Sequence, residues 1–134
     1  MRILLSILFF FIAVTSYGQD SVLIKSIYFG GGSYYVDEIQ VNELYDFIDG
    51  VEKLEDYEII IFSHTDNIGG IEFNRWLSQM RSEAVKLELI RHGIVEELIE
   101  IRDFGLSNPL YTNRSNSGRR GNRRVDVILW PLVF

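Results

Sequence analysis

A chain of 134 residues, 47% hydrophobic and 13% aromatic, reads as one domain able to bury a core, which excludes a chain disordered throughout. Its net charge of −6, which becomes −7 once Arg2 leaves with a leader, argues against nucleic acid or anionic lipid as the main partner. With no cysteine, neither disulfides nor the acylated cysteine that follows a lipoprotein leader is expected.

Residues 1–18 read as a signal peptide: Arg2, an apolar run over 3–14, then small residues before a cleavage point near Gly18. A retained membrane anchor is the alternative, but about 12 apolar residues fall short of the roughly 20 that span a bilayer. The domain then occupies 19–134. No later stretch has the length and apolarity of a membrane-crossing helix, and no series of ten-residue alternating strands suggests an outer-membrane barrel. The chain is expected to be exported to the periplasm without a transmembrane segment after cleavage, with an outer-membrane protein as a candidate partner.

VLIKSIYF (22–29) is β-branched and aromatic and reads as a strand, with GGGS behind it as a flexible exit. From Val36 onward, Leu44, Phe47, Ile48, Val51 and Leu54 follow helical spacing, and Gly50 weakens that helix by about 1 kcal/mol relative to alanine. YEIIIFSH (57–64) is apolar on both faces between Ile59 and Phe62, as in a central, doubly covered strand, and Asp66 lies just past its end. A second helix runs through Ala84, Val85, Leu87, Leu89 and Ile90 to a basic last turn at Arg91 and His92 and a glycine stop at Gly93. IEIRDF (99–104) is a third strand, 105–122 is loop chemistry, and RRVDVILW (123–130) alternates as a fourth strand. These elements predict an α+β domain of two layers, two main helices packed on one face of a mixed four-stranded sheet. Charge is uneven along it: 37–58 holds nine acids against Lys53, and 102–124 holds six arginines against Asp103.

Asp66 alone is a turn residue, helped by Gly69 and Gly70, and Arg81 alone is a solvated helix cation. Their joint meaning turns on Ser78. In one helix unbroken from Ile71, Arg81 would sit about 15 Å along the axis from the helix start and Asp66, too far to share a small ligand. If 71–77 forms a short turn and Ser78 caps a new helix, Arg81 falls in its first turn and faces Asp66 across a pocket. The break is predicted.

HTD (64–66), Gly69, Asn74, Leu77-Ser78, Arg81, Val85 and His92-Gly93 resemble the signature of OmpA-like domains. So do FG-x-x-NP (104–109), Asn113, Gly118-Arg119 and NRRV (122–125), and the resemblance covers 22–129. It implies a β-α-β-α-β-β sandwich that binds peptidoglycan noncovalently through diaminopimelate in the stem peptide, with neither catalysis nor a cofactor or metal. By position, Asp66 matches the acid that takes the ligand ammonium and Arg81 the arginine that takes its carboxylate. Asn74 matches a pocket-lining position, one or both of Arg123 and Arg124 match arginines beside the pocket, and Thr65 adds a hydrogen bond. Ser63 and Ser82 depart from the family's usual glycine and alanine, and the usual barrel or lipid hold on the outer membrane is missing. The chemistry is consistent: an end bearing ammonium and carboxylate suits one fixed acid and one planar fork. A lysine stem would lack the carboxylate, a loss of about 1.5–3 kcal/mol per charged bond.

Three other classes compete. RRGNRR (119–124) could attract phosphates, or Arg119 and Arg120 could brace their own loop. His64 and Asp66 could ligate a metal, with His92 the only other histidine; Ser63 beside His64 lacks a nucleophile elbow; Asp66 and Glu72 could pair as hydrolase acids. Phe73, Trp76 and Tyr111 could form a protein-interaction surface, although aromatics at this spacing are more often core.

Overall fold

The computed structural model describes residues 21–105 and 112–132, so the predicted leader, Pro109 and Tyr111 lie outside the described residues. Four strands, β1 (Leu23–Tyr28), β2 (Tyr57–His64), β3 (Ile99–Gly105) and β4 (Arg124–Pro131), form one sheet in the order β1-β4-β2-β3. β4 runs antiparallel to both β1 and β2, whereas β2 and β3 are parallel. Parallel neighbours need a crossover, and α2 (Ile71–Arg91) supplies it. With α1 (Glu38–Asp49) the helices cover one sheet face, as expected for two layers.

The period of two explains the core. Ile27, Ile59, Ile61, Ile99, Val125, Val127 and Leu129 point toward the helices and meet Leu44, Ile48, Val85 and Leu89, all buried. β2 is central, but the second cover expected for it is not a helix. Ile60 is buried between its cross-strand neighbours Ile128 and Glu100, and the Arg102 guanidinium lies 5.9 Å from the Phe62 ring centroid. Strand side chains close that face locally.

One helix end corrects the sequence reading and another agrees with it. Gly50 is not interior: it caps α1, its N–H reaching Asp46 O and Ile48 O, so Val51 and Leu54 fall beyond the helix, Leu54 in a 3-10 turn. Gly93 is the expected stop. It has φ 96°, and Ile94 N bonds Leu89 O at 3.1 Å while Gly93 N bonds Ile90 O at 3.0 Å, the paired return bonds of a left-handed cap.

Part of the region read as loop is helical. α3 (Asn116–Asn122) is capped by the Ser115 hydroxyl, which accepts Gly118 N at 3.0 Å. Arg119 donates to Asn113 O at 2.9 Å and also to the Asn116 side chain, and Asn122 bonds the Asn113 amide at 2.8 Å. Caps and braces outweigh the poor helix propensity of glycine and asparagine here. The result aims Arg123, the last cap residue, back toward β1 and β2.

Candidate functional site

The expected break at Ser78 is absent. α2 is one helix of 21 residues started by Gly70, and Ser78 sits inside it, fully buried. Asn74, Leu77, Ser78, Arg81, Ser82, Val85 and Leu89 form an unbroken buried stripe at three- and four-residue spacing, which presses the helix on the sheet through that point. A small hydroxyl in the stripe permits close approach and does not interrupt it.

The inference drawn from an unbroken helix also fails. Asp66 lies beside α2 and not off its tip, because one pocket is lined by Asp66 together with Asn74, Leu77 and Arg81, positions on successive turns. Side chains on a helix lean toward its N-terminus, so Arg81 reaches back along this wall. The two charges therefore share a cavity of about 170 Å³ with Gly31, Gly32, Ile68, Gly69, Phe73 and Arg123.

Arg81 has no solvent exposure. Its Nε donates to Ser33 O at 2.8 Å and its Nη2 to Gly30 O at 3.0 Å, and the guanidinium carbon lies 5.2 Å from the Phe29 ring centroid. Nη1 has no partner. Burial pulls the guanidinium down to about 10, against the opposing pull of Asp66, and the nearby Arg123 charge adds to the fall; it remains charged at neutral pH.

Asp66 accepts Ile68 N at 3.0 Å through Oδ1 and Arg123 Nη1 at 3.0 Å through Oδ2. Arg123 also donates Nε to Phe29 O at 3.0 Å, and Phe29 N bonds Arg123 O at 2.9 Å. Gln40 grips the same segment: it accepts Tyr28 N at 2.7 Å, donates to Tyr28 O at 2.8 Å and reaches the α1 cap Asp37 at 2.7 Å. The glycine run is thus held on both flanks. It was read as a flexible exit, yet it walls the pocket. Gly31 and Gly32 let backbone approach the cavity without side chains, a signal the strand-and-turn reading passed over.

Asn74 lines the cavity with its Nδ2 buried and unpartnered. Thr65 is buried, its Oγ1 likewise without a partner, but it is not on the pocket wall. Of the two neighbouring arginines only Arg123 joins the pocket. Arg124 opens β4 pointing to the opposite sheet face, where Nε meets Asp126 at 3.3 Å and Nη1 meets Gly121 O at 3.3 Å. Asp126 there also accepts from Ser26 at 2.7 Å and faces His64 Nε2 at 3.4 Å. His64 and Asp66 thus belong to different clusters, and Glu72 is exposed off the pocket wall. Among the described residues no group of three or more His, Cys, Asp or Glu could hold a metal ion. Arg119 braces its loop, while Arg120 lines a separate cleft of about 520 Å³ with Tyr28, Asp37, Gln40 and Arg123.

A two-layer α+β domain with a small, charged recess at the strand ends defines the class. The chain belongs to the OmpA family, whose description matches residues 28–123. It is 36% identical over 72 residues to the probable lipoprotein YiaD of Escherichia coli, a match covering 54% of this chain and 33% of that one. It is 30% identical over 104 residues to the peptidoglycan-associated lipoprotein of Buchnera aphidicola, covering 77% and 60% respectively. The crystal structure of the peptidoglycan-associated lipoprotein from Burkholderia pseudomallei superposes with a TM-score of 0.72 at 28% identity, covering 78% of this chain and 88% of that one. The chain thus spans about a third of the length of the first of these relatives and 60% of the second.

Proposed function

We propose that this chain binds peptidoglycan noncovalently, without catalysis, by holding the diaminopimelate of the stem peptide in the Asp66–Arg81 recess. One observation carries the reading: two donors, Arg81 Nη1 and Asn74 Nδ2, are buried at that recess with no partner. A buried donor left unmade costs about 1–3 kcal/mol, more when charged, and a ligand carboxylate relieves it. Asp66 spends one lone pair of each oxygen on Ile68 and Arg123, which leaves acceptor capacity for an ammonium. The recess walls carry two guanidinium groups and one carboxylate, a surplus that suits a ligand with more carboxylate than ammonium. The names of two relatives, both peptidoglycan-associated lipoproteins, support the same partner. Residues 1–18 serve as a leader in this reading, and the domain works in the periplasm.

Cosedimentation with purified sacculi tests it. Diaminopimelate-type sacculi carry wild type down, Asp66→Ala and Arg81→Ala stay in the supernatant, and lysine-type sacculi bind at least tenfold more weakly, the equivalent of about 1.4 kcal/mol. Equal capture by both wall types sinks the assignment.

A further inference from the structure

The recess leaves most of its proposed ligand outside. A volume of about 170 Å³ admits a side-chain tip, whereas pockets that engulf drug-sized ligands run about 300–1,000 Å³. The sugar that carries the stem peptide therefore lies on the surface beyond the rim. On one side that rim is aromatic. Phe73 lines the recess and its ring centroid is 5.8 Å from that of Trp76, with planes 35° apart; Trp76 in turn lies 5.8 Å from Tyr34, edge to face. Phe73 and Trp76 are three residues apart on α2, and Tyr34 follows Ser33, whose carbonyl Arg81 holds. Tyr34, Phe73 and Trp76 are 43%, 45% and 44% exposed, so the row is not core packing, contrary to the usual meaning of that spacing.

We propose that Trp76, flanked by Tyr34 and Phe73, is a stacking platform for the amino sugar to which the stem peptide is joined; the proposal rests on the peptidoglycan reading above. A pyranose ring presents a face of weakly positive C–H groups, and an indole presents a negative π face, so they associate without charge. The reach permits it. Two residues separate diaminopimelate from the sugar, so with the diaminopimelate side chain the linker spans at least about 7 Å, and the Trp76 ring centroid is 5.8 Å from that of Phe73 on the recess wall. The area also favours a sugar over a protein. Three half-exposed rings offer about 300 Å², well below the roughly 800 Å² that each partner gives a standard protein interface.

The test compares the free diaminopimelate tripeptide with the disaccharide tripeptide by titration calorimetry, using wild type, Trp76→Ala and Trp76→Phe. Wild type is expected to bind the sugar-bearing ligand about three- to tenfold more tightly, the range for aromatic contacts of this kind. Trp76→Ala abolishes that increment with tripeptide affinity unchanged, and Trp76→Phe keeps part of it. The chain has two tryptophans, and Trp130 lies on the opposite sheet face, so in a Trp130→Phe background the disaccharide shifts Trp76 emission and the tripeptide does not. Tripeptide binding with no sugar increment in wild type overturns the platform alone and leaves the row to a protein partner. An increment that survives Trp76→Ala also overturns it. No tripeptide binding overturns the recess reading, and this one with it.

Discussion

Replacing Arg81 by lysine keeps a positive charge and removes the fork, so it separates the observed hold on two carbonyls from the proposed ligand role. The guanidinium spans Ser33 O and Gly30 O and leaves Nη1 without a partner in a residue that lines the cavity. An ammonium carries its donors on a single atom, so it cannot hold both carbonyls and a ligand at once. Each bond made by a charged donor contributes about 1.5–3 kcal/mol. Losing the one to the ligand raises Kd about ten- to hundredfold. Losing one carbonyl lowers Tm by about 6–20 °C at the scale of a domain near 100 residues. Burial sharpens the result, since it already draws the arginine down to about 10 and acts on a lysine that starts near 10.4. Calorimetry with the diaminopimelate tripeptide, run where circular dichroism shows the variant folded, reads the first effect, and thermal melts read the second. A folded variant whose Kd stays within twofold of wild type refutes the ligand role and leaves Arg81 as a loop clamp.

Desolvation raises Asp126, but hydrogen bonds from His64 and Ser26 and the Arg124 charge outweigh it, and its folded pKa is lowered from 3.8. The unfolded chain therefore binds more protons near pH 4. The stabilisation is present above that pH and is lost as pH falls through the lower folded value. Asp126→Asn flattens the acid limb of stability below about pH 4, measured by urea unfolding across pH 2–5; an unchanged slope removes the network from the account. Gly118→Ala places a Cβ 1.8 Å from Thr112 O and 2.9 Å from the Ser115 hydroxyl. It is expected to lower unfolding stability by at least about 3 kcal/mol and to weaken tripeptide binding by displacing Arg123; an unchanged urea midpoint contradicts the tight seat of α3.

The sheet was legible because its strands carry their own period. β2 matches its predicted span, and the others shift by a residue or so at their ends. Gly93 was legible as a stop because a positive φ there suits only glycine well. Helix interiors were harder. Ser78 carries cap chemistry, but whether a serine caps or packs depends on what presses on it, here a buried stripe that only the folded sheet reveals. α3 was invisible because its residues favour turns, and the braces that hold it come from Asn113 and Ser115 just before it. At the site, the family resemblance pointed to Asp66, Arg81 and Asn74, which the fold gathers around one cavity. Arg123 and Arg124 could not be told apart until their opposite directions were fixed by the start of β4. The glycine run was read only as a flexible exit, because what it contributes is backbone carbonyls.

Those carbonyls have a kinetic consequence. A stretch rich in glycine would normally sample many shapes and have to settle on one each time a ligand docks. Here two cations hold it at Phe29, Gly30 and Ser33 as the chain folds, so its freedom is already gone when the visitor arrives. If the proposed ligand binds there, association is expected to proceed as simple docking with no slow closing step, and the departure rate to separate diaminopimelate-type from lysine-type wall.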